Sequence, residues 1–193
     1  MSNIKFSMKC FVLAILAVQF VALSSCSEMP RENAKKEKLQ NDLIQTAIDA
    51  TMREAREAIA KHGFAEPAIS AIKKSLADLA RCEGLRDRED LSGLHGSTQT
   101  EAVVLASDGM NDLTLILARF APNEPTPVHD HGTWAVLHVL EGNDRYIAWK
   151  RMDDGTDPAH AQLEIASEQI LKTGQSIHWF GPPHDIHSQV AQD

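Results

Sequence analysis

The chain has 193 residues, a formal net charge of −8 and a hydrophobic content of 43%. That length holds one ordinary domain with a core and a small appendage, but not two full domains. The acidic balance excludes a nucleic-acid groove, which requires a basic stripe.

At the N-terminus, Lys5 and Lys9 precede an uncharged apolar run from Cys10 to Leu23. The run is shorter than the roughly 20 residues that span a membrane, and it turns polar at Glu28, so residues 1–25 are expected to be a secretion signal. Met8 offers a second start for the same signal. The ending Leu23-Ser24-Ser25-Cys26 is similar to the lipobox of bacterial lipoproteins. That likeness implies lipidation of Cys26 and a place on the periplasmic side of a bacterial membrane, touched only through the anchor. The alternative is a plain cleaved signal that releases the chain to the periplasm. Either way Cys10 leaves with the signal, and with Cys26 lipidated Cys82 is the only thiol left, so no intramolecular disulfide is expected even in an oxidising compartment.

Residues 26–38 are charged and nearly free of large apolar side chains, which suits a solvated tether. From Leu39 the positions Leu43, Ala47, Ile48, Met52, Ala55 and Ile59 recur at helical spacing, with Gly63 as the stop. A second helix is expected near Pro67, carrying Ile69, Ile72, Leu76 and Leu79 and ending by Gly84. These give a helical hairpin over 39–84. One apolar stripe per helix predicts that the hairpin packs on the later domain rather than mediating a partner contact.

From Glu101 the pattern changes to short strands between turn residues. Strands are expected at Ala102–Ala106, Leu113–Phe120, Thr133–Leu140, Arg145–Lys150, Gln162–Ala166, Glu168–Lys172 and Ser176–Phe180. Turns fall at Asp108-Gly109, Gly142-Asn143 and Asp154-Gly155. The class is mainly β, an antiparallel barrel or sandwich. There is no internal repeat, glycine-rich phosphate loop or G-x-S-x-G elbow.

The stretch Pro127 to Gly142 (P-V-H-D-H-G-T-W-A-V-L-H-V-L-E-G) holds the chemistry. On a strand, His129 and His131 would share one face and Asp130 the other, making a two-pronged metal clamp. Imidazole suits Zn, Cu, Fe and Ni, and a third ligand is needed. The alternative is two polar residues at a strand start. Downstream, His160, His178, His184 and His187 are the histidines close enough to complete a ligand set.

These residues resemble the cupins, and within them the cysteine dioxygenase-like thiol dioxygenases. His129, His131 and Gly142 fit the first cupin motif, with Ala135 where an acid is usual. Pro182 and His187 fit the second, with His184 in place of its glycine and Ala191 in place of its asparagine. The phrases H-D-H-G-T-W at His129–Trp134 and P-P-H-D-I-H-S at Pro182–Ser188 are also similar to bacterial members, and the likeness covers residues 93–193. It implies a double-stranded β-helix, or jelly roll, behind the helical hairpin. It also implies Fe(II) held by His129, His131 and His187, with a small thiol and O₂ as substrates. Zn and Ni fit the same donors.

The family continues into closing strands with a serine-histidine-tyrosine relay, so a sequence ending at Asp193 implies a jelly roll incomplete at its C-terminal end. Cysteine-oxidising members also use an arginine well upstream of the H-x-H, and Gln99 to Leu117 contains none. Arg119 and Tyr146 are the nearby groups suited to gripping a carboxylate and to a phenol role. His184 is a candidate extra ligand or a donor behind the ligands. Asp130 and Asp185 qualify for that role only if the backbone turns them inward. His138 should face away from the metal, and Trp134, Trp149 and Trp179 should be core. Two classes of function remain: an iron-dependent thiol dioxygenase, and a non-catalytic metal- or small-ligand-binding cupin lipoprotein, including a truncated, degenerate enzyme.

Overall fold

A computed structural model of the chain describes residues 31–85, 101–109, 113–157 and 160–192, together with 15–16. Cys26 lies outside the described residues. Within the segment read as a secretion signal, a two-residue strand β1 (Ile15–Leu16) runs parallel to the later strand at Ala118 and Arg119.

Helix α1 covers Arg31–His62 and α2 covers Glu66–Ala80. The first therefore begins inside the stretch expected to be a tether. Its residues 35–38, Lys-Lys-Glu-Lys, are straight-chain helix formers that need no buried face to continue a helix, so a charged composition did not mean an irregular backbone. Gly63, at φ 62°, ends α1 and lets the chain reverse. Pro67 sits in the first turn of α2, where its missing N–H costs nothing.

The hairpin does pack on the β region. Ile48 and Met52 of α1 and Ile72 and Leu76 of α2 share one buried cluster with Leu115 and Val136 of the strands. A second cluster, with Phe120, Leu137, Tyr146, Leu171, Trp179 and Ala191, lies on the other side.

The strands are β2 (Glu101–Ser107), β3 (Thr114–Arg119), β4 (Ala135–His138), β5 (Asn143–Arg151), β6 (Leu163–Lys172), β7 (Ser176–Trp179) and β8 (His187–Gln192). They form three sheets, with orders β1-β3-β2, β4-β7 and β6-β5-β8, and apart from β1 every pairing is antiparallel. All four residues of β4 are buried, because Val136 faces the helices while Ala135 and Leu137 face the second cluster. That two-sided burial explains why Ala135–Leu137 read as a continuous apolar run.

Two expected strands, Gln162–Ala166 and Glu168–Lys172, are one. The register shifts between Ala148↔Ser167 and Trp149↔Ile165, leaving Ala166 as an extra residue on β6. A bulge flips the alternation at that point, and a pattern read with strict period two breaks there.

Strand β8 was not foreseen. Its sequence, H-S-Q-V-A-Q, lacks a β-branched run, and four of its six residues are polar, yet it pairs with β5 from His187↔Ala148 to Gln192↔Asn143. Its other edge is not bare. The irregular segment 122–129 runs along it: the Asn123 N–H donates to Ala191 O (2.9 Å) and the Thr126 N–H to Gln189 O (2.8 Å). His129 and His187 close the line as a mutual bridge. The edge of β8 away from β5 is thus covered by this segment rather than left as unpaired backbone.

A candidate three-histidine metal centre

His129, His131 and His187 come together. One ligand nitrogen from each lies within 4.8 Å of the others, and the ring centroids are 4.5–5.0 Å apart. A metal ion needs this kind of convergence of neutral nitrogen donors.

The route differs from the one expected. His129 and His131 do not share a face of a regular strand, since β4 starts only at Ala135. His129 is instead pinned by its bridge to His187, with His129 N–H to His187 O at 3.0 Å and the return bond at 2.9 Å. His131 then turns in through Gly132, whose φ of 65° is the left-handed conformation that glycine adopts without strain. A Cβ at Gly132 would meet nothing within 4 Å, so the need for glycine there is conformational rather than spatial.

Two of the three rings have a defined tautomer. Nδ1–H of His129 donates to Pro127 O (2.8 Å), and Nδ1–H of His187 donates to Asp185 O (3.0 Å). Each bond leaves Nε2 with its lone pair free for a ligand. Nε2 of His187 is fully buried and has no hydrogen-bond partner in the protein. A buried nitrogen lone pair without a donor is costly, and a cation at the centre of the three rings would satisfy it.

The electrostatics favour neutral rings. Burial, reinforced by the neighbouring His129 and His131, pushes the His187 imidazolium pKa down to about 3. Burial and His129 also lower that of His131, against the opposing pull of Asp185 and Asp130. Metal binding therefore displaces little bound proton from these two rings near neutral pH.

Asp185 is the group that fixes the loop. Only 1% exposed, its Oδ2 accepts the N–H of Gly132 (2.7 Å) and of His131 (3.3 Å) while its carbonyl orients His187. One residue thus holds both arms of the site. Trp179 stacks beside the rings, 4.5 Å from His187 and 5.7 Å from His131, so it is both core, as expected, and a wall of the centre. Tyr146 stacks on His187 (5.3 Å) and Trp179 (5.9 Å), and burial raises its phenol pKa well above the ordinary value.

Other candidates fall elsewhere. His184 is exposed in the turn after the two prolines and is not part of the histidine group. That turn carries it outward while Asp185 points in. His138 is buried against Ser176 Oγ (2.8 Å), away from the centre as expected. His178 bridges β7 to α2, with Nδ1 accepting from Lys73 Nζ (2.9 Å) and Nε2 beside Glu66 (3.3 Å). His160 pairs with Asp157 in an exposed loop. Asp130 is exposed and Arg119 ends β3. Ala135, where cupins usually place an acid, is fully buried and brings no carboxylate to the centre.

Sequence reading missed Asp144 and Gln189, whose buried side chains lie on the same sheet as His187. It also missed the Pro127 carbonyl, although a proline two residues before a ligand histidine was visible. No protein-family model and no curated protein matches the chain.

Proposed function

We propose that this chain is a cupin-type jelly roll whose three histidines hold ferrous iron, and that it adds O₂ to the sulfur of a small thiol. The observation that carries the reading is the buried, partnerless Nε2 of His187 facing two further imidazoles in a set that contains no carboxylate. Neutral ligands leave the charge of a divalent ion uncompensated, which favours an anionic ligand such as a thiolate. Iron, if held by His129, His131 and His187, would bring O₂ and a thiolate together, the sulfur itself giving up the four electrons that O₂ takes on as both oxygen atoms are added to it.

The chain's own residues provide the rest. Asp185 holds His131 and His187 in register, Trp179 and Tyr146 wall one side against water, and the buried His187 presents its lone pair without a competing proton. The resemblance to lipoproteins supports a periplasmic location with Cys26 as anchor.

The test is metal content and thiol-driven O₂ uptake on anaerobically iron-reconstituted protein, with His187→Ala as control. Stoichiometric iron with uptake that the variant loses supports the enzyme. Metal binding with no uptake for any thiol sinks it and leaves a metal- or ligand-binding cupin, and tight Zn or Ni binding without redox activity points the same way.

A further inference from the structure

Strands β5 and β8 carry a row of buried residues on one face. Ala148↔His187, Tyr146↔Gln189 and Asp144↔Ala191 are successive same-face pairs. Tyr146, Asp144, His187, Gln189 and Ala191 are all at most 4% exposed.

Beyond His187, this face holds polar atoms that no described residue satisfies. Both carboxyl oxygens of Asp144 and Oε1 of Gln189 are buried without a hydrogen-bond partner, and Nε1 of Trp179 adds an unpartnered donor. Each such atom is destabilising if left alone, and a carboxyl that must ionise is more so. Burial pushes the Asp144 acid up to about 7, and among the described residues no cation is paired with it.

Three of these four atoms are acceptors, so what completes them must bring donors. Water can donate, but it brings no charge. An ammonium brings three donors and the compensating charge together. At a strand rise of about 3.4 Å, Gln189 lies about 7 Å from His187, and Asp144 lies about 14 Å from the level of His187 along β5.

We propose that Asp144 and Gln189 form a receptor for the ammonium end of a ligand whose other end sits at the three histidines. The substrate class is then a thiol with a terminal primary amine on a spacer longer than an ethylene unit. The sulfur end of this assignment rests on the thiol reading above, and the ammonium end rests only on the β5–β8 face.

Zinc has no redox chemistry, so zinc-loaded full-length protein reads binding without turnover. The probes are aminopentanethiol and hexanethiol, which differ by an ammonium in place of a methyl, and pentylamine on metal-free protein. Calorimetry should give aminopentanethiol an affinity at least about 10-fold above hexanethiol, a gain within reach of one charge-assisted pair. Asp144→Asn should collapse that preference while hexanethiol binding stays unchanged, and Gln189→Leu should reduce it. Equal affinities on the unaltered protein overturn the proposal, whether or not the variants fold, as does a preference that survives Asp144→Asn. If neither thiol binds but pentylamine does, in a way that Asp144→Asn abolishes, the thiol reading falls and the ammonium receptor stands. If pentylamine and aminopentanethiol both fail, the receptor falls.

Discussion

The two arms of the histidine centre are built differently. His187 is wholly buried at the start of a regular strand, its backbone paired on one side with Ala148 and on the other with His129. His129 and His131 are half-buried on an irregular segment, held by hydrogen bonds to Pro127 O and Asp185 Oδ2 and by the two-bond bridge to His187. One arm is positioned by a sheet, the other by a few polar latches. The sheet arm should therefore set whether a metal binds at all, and the loop arm how tightly.

Replacing the sheet ligand tests this most severely. His187→Ala should lower metal affinity by more than about 100-fold, beyond the usual effect of a residue behind a ligand, as read by metal content after dialysis. Comparable residual binding in His187→Ala and His129→Ala would erase the distinction between the arms.

The latch comes next. Asp185→Ala should weaken metal binding by about 10–100-fold, and it orphans the amides of His131 and Gly132 at a cost of about 1–3 kcal/mol in apo stability. Asp185→Asn keeps an acceptor oxygen and should recover part of both, which a chelator competition and a thermal melt would separate.

The pH dependence is smaller, because two buried groups oppose each other. His187 titrates lower in the fold than unfolded, so its contribution is present above about 6.5 and is lost as pH falls toward 3. Asp144 is raised from 3.8 to about 7, so its neutral form favours folding at low pH, and that contribution is lost as pH rises from about 4 through 7. Between those limits the slopes cancel in part. Asp144→Asn should unmask the histidine slope, giving metal-free protein whose denaturant midpoint rises steadily from pH 4 to 6.5; an unchanged profile would show that Asp144 ionises freely in the fold.

The smallest effect belongs to His184. Exposed and outside the group, its replacement by alanine should leave metal affinity within about twofold, the scale of an ordinary surface change. A loss like that of His131→Ala would mean that the turn folds inward when metal is bound.

The split between the arms also explains what was legible. The helical hairpin, the turn between β2 and β3 and the positions of β4 and β7 follow from apolar periodicity and turn residues, which act locally and leave a local trace; the pairing of β4 with β7 joins distant segments and left none. The three histidines could be picked out by their phrases. How they converge could not, because His129 is placed by a backbone bridge to a residue far along the chain, and such bonds carry no side-chain signature. Strand β8 escaped because its core face is polar, with His187 and Gln189 where a strand is expected to be apolar. The tether misled for the opposite reason: Lys and Glu are good helix formers whether or not they bury anything. Asp144 drew no reading because it follows the Gly142-Asn143 turn, and only its register opposite Ala191 puts it inside.

The bridge between His129 and His187 also bears on when the centre exists. Contacts between distant positions close late in folding, after the local hairpins that make them possible. A chain with α1, α2 and β2–β7 in place but β8 undocked has two histidines on a loose segment and no third. Such a chain is a poor chelator. An ion held by the three histidines would therefore bind finished molecules and pass over those still folding.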